Sequence, residues 1–140
     1  MNADVDAVCL VGKSWDYQVD VALGIPREEN IDNIAQSIAA VKAKGREPML
    51  DAEHLFDGFR ANPDYALACI RAAQDAGAAW IVLCDTNGGT MPEDVYRIVS
   101  DVKAKLPTAN LGIHAHDDTG QAVAVSLAAT TGRPRDWYPT

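Results

Sequence analysis

The sequence predicts an α/β fold in which four consecutive strand–helix units form a parallel sheet. Four short apolar runs each precede a longer segment with helical periodicity. Successive runs begin roughly 30 to 40 residues apart, which fits one strand–helix unit each. Apolar strands that alternate with helices imply a parallel sheet covered by helices. Such units belong either to a (β/α)8 barrel or to an open doubly wound sheet.

The first unit consists of a strand at 7–12 and a helix that begins near Arg27. The run 7–12 is short and apolar, which predicts a buried strand. Pro26 suits the start of the helix and Gly45 suits its end. The apolar residues at three- and four-residue steps along this helix are Ile31, Ile34, Ile38 and Val41.

The second unit starts with a strand at 47–53 and continues with a helix from about Pro63. Asn62 is suited to cap that helix, because its side chain can accept a hydrogen bond from an early helical amide. Gly77 marks the end of the helix. Its apolar positions are Tyr65, Leu67, Ile70 and Ala73.

The third and fourth units repeat the pattern. A strand is predicted at 80–85, and Pro92 opens the helix that follows it. The apolar face of that helix is formed by Val95, Ile98, Val99 and Val102. The fourth strand is predicted at 110–116, and a fourth helix begins at Gly120.

Polar residues are concentrated where the predicted strands end, and ligands of parallel sheets bind at those carboxyl ends. The four segments are 13–15, 51–54, 85–89 and 114–117. His114 and His116 are two residues apart, so in a strand they project to one face and can share a metal ion. The same spacing is compatible with two strand-end histidines that make ordinary hydrogen bonds.

Composition and charge exclude several classes of partner. The 140 residues include 20 acidic and 12 basic side chains, and the formal net charge of −8 offers no basic stripe to nucleic acid. No apolar run approaches the roughly 18 residues of a membrane span, and the first residues do not resemble a signal peptide. The three cysteines form no CxxC motif, which predicts buried, reduced thiols in a cytoplasmic protein.

Four strings together resemble a family of metal-dependent acyltransferases and lyases. They are VCLVGKSW at 8–15, DAEHLFDG at 51–58, CDTNGGT at 84–90 and GIHAHDDTG at 112–120. In this order they are similar to the isopropylmalate, homocitrate and citramalate synthases and HMG-CoA lyase, and most of all to the citramalate synthase branch. The resemblance covers residues 4–129 and implies a partial (β/α)8 TIM barrel, with the family's fourth to seventh strands.

The resemblance also implies roles for four residues. His114 and His116 would bind a divalent metal, Mn²⁺, Mg²⁺ or Zn²⁺. Thr86 would hydrogen-bond the carboxylate of a 2-oxo acid, and Glu53 would act beside the substrate as an acid, a base or an orienting group. The implied reaction condenses acetyl-CoA, the co-substrate, with a 2-oxo acid, which in the citramalate branch is pyruvate. The implied pathway is isoleucine biosynthesis.

The chain also departs from the family pattern. The family's Arg-Asp-Gly string on strand one and Asn-Gly-x-Gly-Glu-Arg string on strand eight are both absent, and each holds a metal ligand. Asp117 and Val125 stand where the family usually has asparagine. The likeness ends after Ala129, so residues 130–140 are predicted to be a non-homologous, disordered tail. We therefore expect a fragment that has little or no activity alone and self-associates through its open sheet edges.

Other interpretations stay open. Another synthase, an aldolase or a lyase of the same family would act on a different 2-oxo acid or in the reverse direction. A non-catalytic remnant with a vestigial metal site is a third interpretation, which a metal titration would test. A flavodoxin-like domain for a phosphate compound is disfavoured, because no GxGxxG or Walker-type loop follows a strand.

Overall fold

The computed structural model describes residues 4–131, which form a four-stranded parallel sheet with helices. The strands are β1 (Ala7–Lys13), β2 (Glu47–Glu53), β3 (Trp80–Asp85) and β4 (Leu111–Ala115). The helices are α1 (Asp16–Gln18), a π-helical turn (Val19–Leu23), α2 (Arg27–Ala43), α3 (Leu55–Ala61), α4 (Pro63–Ala76), α5 (Pro92–Lys105) and α6 (Ala122–Thr131). Within 4–131, no helix combines the length and apolar character needed to cross a bilayer.

The strands lie side by side in chain order, and each neighbouring pair is parallel. A doubly wound sheet would instead change direction at a switch point inside the sheet. Right-handed crossovers between strands that advance in one direction place the helices on one face, as in a (β/α)8 barrel. The predicted α/β fold of four consecutive βα units is therefore confirmed.

The helices bury one face of the sheet. The strand residues on that face are at most 1% exposed and are Leu50, Ala52, Ile81, Leu83 and Leu111. They join one apolar cluster with the inward sides of α2, α4 and α5. The core therefore lies between the sheet and its helices, as the helical periodicity predicts.

The opposite face of the sheet is not covered by the helices, and we call it the open face. It carries Val11, which is 69% exposed, and Cys9, which is also exposed. The prediction that the first strand is buried is wrong for this face, and the prediction of three buried thiols is wrong for Cys9. The physical reason is that α2 packs on one side of β1 only, so alternate side chains of that strand meet solvent.

Helix ends follow the signals predicted from the sequence. The side chain of Asn62 accepts a hydrogen bond from the amide of Tyr65 at 3.2 Å, which caps α4. Gly45 and Gly77 follow α2 and α4 with φ of 68° and 97°. Glycine adopts this left-handed conformation without the steric cost that a Cβ would add.

The structure differs from the predicted elements in several places. Strand β4 is one residue shorter at each end than 110–116, and α6 begins at Ala122 because the Asp117 carboxylate accepts a hydrogen bond from the Ala122 amide at 2.9 Å. Helices α1 and α3 were not predicted. Helix α6 continues to Thr131, two residues past the predicted boundary, and the rest of the predicted tail lies outside the described residues.

Candidate active site

The structure brings the four predicted site residues to one cavity. Glu53, Thr86, His114 and His116 line a space of about 140 Å³ at the carboxyl ends of the strands, on the open face. The other lining residues are Val11, Asp51 and Cys84. Strand register explains the grouping: Val11 pairs with Asp51, Asp51 with Val82 and Cys84 with His114, so these positions share one face.

His114 and His116 lie side by side, with ring centroids 5.0 Å apart. The Nδ1 atom of His114 lies 3.3 Å from a carboxylate oxygen of Asp51 and 3.9 Å from the sulfur of Cys84. Asp51, Cys84 and His114 each offer a ligand atom within 4.8 Å of the others, the one such group in the described part of the chain. His114 therefore takes part in two groups of side chains. Its ring lies beside that of His116, and its Nδ1 atom faces Asp51 and Cys84.

Glu53 is fixed at the end of β2 by contacts from β1. It is paired in register with Lys13, whose Nζ lies 2.5 Å from a carboxylate oxygen of Glu53. The backbone carbonyl of Glu53 accepts hydrogen bonds from the amide of Ser14 at 3.0 Å and from its hydroxyl at 2.8 Å. Both the side chain and the backbone of Glu53 are thus held by the neighbouring strand end.

Thr86 is oriented by an unusual backbone conformation at His54. His54 has φ of 58°, a left-handed conformation that costs a non-glycine residue of order 1–3 kcal/mol. In that conformation its amide donates a hydrogen bond to the hydroxyl oxygen of Thr86 at 2.8 Å. Because the oxygen is the acceptor, the hydroxyl proton of Thr86 can be donated to a ligand.

The loop that follows β3 is held by a buried carboxylate. Asp85 is 1% exposed and accepts hydrogen bonds from the amide and the hydroxyl of Thr90 at 3.2 and 2.7 Å. The carbonyl of Gly88 accepts a hydrogen bond from the hydroxyl of Thr119 at 2.8 Å. These contacts join the glycine-rich turn next to Thr86 to the loop after β4.

Partial removal from water at Cys9, and nearly complete removal at Cys84, raises the pKa of both thiols on the open face. Removal from water, followed by the charge of Asp51, raises the pKa of Cys84 to about 12. The same two causes, in the same order, raise the pKa of Cys9. The thiolate is the nucleophilic form of cysteine, so neither thiol is an activated nucleophile at neutral pH.

The sequence patterns predict no role for three residues at the site, which are Asp51, Cys84 and His54. Asp51 and Cys84 precede Glu53 and Thr86 by two positions, so the two-residue period of strands could have placed them on the same face. No sequence pattern predicts the left-handed backbone conformation of His54, because non-glycine residues seldom adopt that conformation.

Comparison with known proteins identifies one family. The sequence profile described as HMGL-like matches residues 1–132. The (R)-citramalate synthase of Aquifex aeolicus (strain VF5) is 45% identical over 140 residues, which is 100% of this chain and 26% of that protein. The (R)-citramalate synthase of Geobacter sulfurreducens is 50% identical over 131 residues, 94% of this chain and 25% of that protein. The chain thus spans about a quarter of the length of these curated relatives.

A solved structure shows the same fold. The HMG-CoA lyase of Bacillus subtilis superimposes with a TM-score of 0.80 at 16% sequence identity, over 91% of this chain and 44% of that chain. At this identity the likeness establishes architecture alone, and it confirms the predicted partial (β/α)8 barrel. Because the family profile covers nearly the whole sequence and the fold agrees with it, the chain belongs to the HMGL-like family.

Proposed function

We propose that this chain supplies part of the catalytic rim of a cytoplasmic, metal-dependent acyltransferase that makes citramalate, a step toward isoleucine. The acetyl group of acetyl-CoA is joined to pyruvate, and water then hydrolyses the thioester, which releases citramalate and CoA. The observation that carries the proposal is the single cavity lined by Glu53, Thr86, His114 and His116. Its volume of about 140 Å³ suits a small acid and is below the roughly 300 Å³ of sites for larger ligands. The relatives named (R)-citramalate synthase, at 45% and 50% identity, support this choice of substrate.

The donor atoms at the rim fit a divalent cation. Two imidazoles stand 5.0 Å apart beside the carboxylates of Asp51 and Glu53, and such nitrogen and oxygen donors suit Mn²⁺, Zn²⁺ and, through the carboxylates, Mg²⁺. His114 and His116 would hold the ion. When bound, such an ion is a Lewis acid that polarises the ketone of a 2-oxo acid.

Thr86, Glu53 and Lys13 have separate roles at the cavity. Thr86 donates its hydroxyl proton to the carboxylate of the 2-oxo acid, because its oxygen already accepts from the amide of His54. Glu53 lies where a carboxylate can move a proton at the reacting carbon, and Lys13 holds that carboxylate in place. The acyl-CoA approaches from the open side of the rim, since the cavity itself holds only a small molecule.

The chain alone is expected to show little or no turnover. A catalytic metal usually has three protein ligands and one open position, and His114 and His116 supply two. The measurement is release of free CoA from acetyl-CoA with pyruvate and Mn²⁺ or Mg²⁺. Robust turnover by the purified 140-residue chain would contradict this expectation.

A chimera tests the proposed activity itself. Residues 4–131 replace the corresponding segment of the Geobacter sulfurreducens (R)-citramalate synthase, to which the chain is 50% identical over 131 residues. The chimera is expected to release CoA with pyruvate, and faster than with larger 2-oxo acids. A folded chimera that is inactive with every 2-oxo acid, beside an active parent, would refute the proposal. Preference for a larger acid would favour the isopropylmalate or homocitrate synthase alternative.

We also propose that the isolated chain associates with itself. Strands β1 and β4 are the edges of the sheet and each presents one side without a strand partner among residues 4–131. Unpaired parallel edges with exposed apolar neighbours such as Val11 favour pairing with another chain. Sedimentation velocity is expected to show species larger than a monomer of 15.0 kDa. A single monomeric species over a wide concentration range would exclude this association.

A further inference from the structure

His54 combines two unfavourable features that a glycine at the same position would avoid. Its φ of 58° lies in the left-handed region, which non-glycine residues seldom adopt, although histidine tolerates it better than β-branched residues do. Its side chain is 10% exposed, and its Nδ1 atom has no hydrogen-bond partner among residues 4–131. Backbone strain of this kind clusters at functional sites, and a buried polar atom without a partner calls for an explanation. His54 is therefore a candidate for a role that the four predicted site residues do not cover.

Two neighbours enclose the imidazole of His54. Its ring lies against the ring of Trp15, with centroids 5.8 Å apart. Its Nδ1 lies 3.9 Å from a carboxylate oxygen of Asp57, beyond hydrogen-bond distance. The same oxygen accepts a hydrogen bond from the side-chain amide of Asn87 at 2.8 Å. The imidazole is thus packed between the segment after β1 and the first turn of α3, and this packing holds residue 54 in its left-handed conformation.

The turn at 54–57 contacts two consecutive residues of the loop after β3. The amide of His54 donates a hydrogen bond to the hydroxyl oxygen of Thr86, and Asp57 accepts one from Asn87. Rotation about the N–Cα bond of His54 turns the peptide unit that carries this amide relative to α3. A different φ at residue 54 would therefore move either the amide or the helix, and the hydrogen bond to Thr86 would be lost.

We propose that His54 is a positioning residue for the 2-oxo acid and acts through Thr86. Its left-handed backbone directs the amide to the hydroxyl oxygen of Thr86, which leaves the hydroxyl proton for the carboxylate of the acid. The inference rests on the proposed function for its substrate, and it adds the residue whose conformation sets the affinity for that substrate. The imidazole takes no part in the chemistry. Its requirement is conformational, so asparagine, which also tolerates the left-handed region, should replace it.

The first test changes the conformational preference of residue 54 in the chimera that carries residues 4–131. His54→Val should raise the KM for pyruvate about 10- to 100-fold, the contribution of one hydrogen bond to a charged group, because valine is strongly disfavoured in the left-handed region. The kcat should change less than about threefold, because the carboxylate is bound equally in the ground and transition states. His54→Asn should keep the KM for pyruvate within about threefold of the parent chimera.

The matched control restricts another left-handed residue, far from the site. Gly45 has φ of 68°, and a Cβ there would meet no atom within 4 Å. It precedes β2, at the opposite end of that strand from Glu53. Gly45→Val should therefore lower the urea midpoint of unfolding and leave the KM for pyruvate unchanged. A folded His54→Val with an unchanged KM for pyruvate would overturn the proposal, as would an equal rise of this KM in His54→Asn.

A second measurement needs neither activity nor a change at residue 54. Amide hydrogen exchange of His54, followed by NMR in the complete chain, reports its hydrogen bond to Thr86. Thr86→Val removes the acceptor and should accelerate this exchange at least about tenfold, whereas Thr86→Ser keeps a hydroxyl and should retain the protection. Equal protection in all three proteins would overturn the proposal. An inactive chimera would refute the proposed acyltransferase, and the exchange rates would still decide whether His54 holds Thr86.

Discussion

Glu53→Gln, introduced into the chimera that carries residues 4–131, is expected to lower kcat by roughly 10²- to 10⁴-fold, the usual contribution of a positioned acid or base. The carboxamide has nearly the same shape but cannot take up or release a proton at neutral pH. The change also removes the ion pair with Lys13, whose side chain is 22% exposed, but such a partly exposed pair contributes only about 0–1 kcal/mol to stability. The loss should therefore be in the chemical step and not in folding.

The matched control for Glu53→Gln lies at the other end of the same strand. Glu47 is exposed at the start of β2, far from the cavity, so Glu47→Gln should leave kcat and KM unchanged. The measurement is steady-state CoA release at varied pyruvate, with the unfolding midpoint of each variant in urea. If Glu53→Gln keeps more than about a tenth of the kcat of the parent chimera, Glu53 is not an acid or base in the reaction.

The position of the site could be predicted because it depends on two regularities. Parallel strands end at one edge of the sheet, and side chains two apart in a strand share a face. Glu53, Thr86, His114 and His116 are all at strand ends, and they do line one cavity. Which of them share contacts could not be predicted, because register between strands is a tertiary property.

The contact between His114 and Asp51 illustrates this limit. The two residues are 63 positions apart, and β3 lies between their strands. Their 3.3 Å approach depends on the twist of the sheet and on the length of each strand, neither of which has a local sequence signal. The group formed by Asp51, Cys84 and His114 therefore exists only in the folded sheet and has no sequence signal.

The unpredicted helix α3 has a different explanation. Leu55–Ala61 has seven residues, less than two turns of helix, so an apolar period of 3.6 cannot be recognised over its length. It starts directly after β2, with neither glycine nor proline between, because His54 adopts the left-handed conformation that turns the chain. Sequence patterns do not predict a left-handed turn at a histidine, because non-glycine residues seldom adopt that conformation.

Gly58→Ala is expected to destabilise the chain by about 1–3 kcal/mol, although alanine is normally the better helix former by about 1 kcal/mol. Gly58 lies inside α3, where a Cβ would stand 2.4 Å from the carbonyl oxygen of Ser14 and 2.9 Å from Cα of Trp15. Both atoms belong to the backbone, so no side-chain rotation can make room. The urea midpoint of unfolding, followed by circular dichroism, measures the effect.

Helix α3 lies against the backbone of Ser14 and Trp15, and this contact connects the packing of the helix to the site. Ser14 cannot retreat from a new Cβ without stretching its two hydrogen bonds to the carbonyl of Glu53, at 3.0 and 2.8 Å. Gly89→Ala is the control, because a Cβ there meets nothing closer than 4.0 Å and φ is not positive. An unchanged midpoint for Gly58→Ala would mean that the loop carrying Ser14 can move freely. In that case Ser14 would not hold the backbone of Glu53, and the position of its carboxylate at the rim would depend on the strand pairing and the ion pair with Lys13.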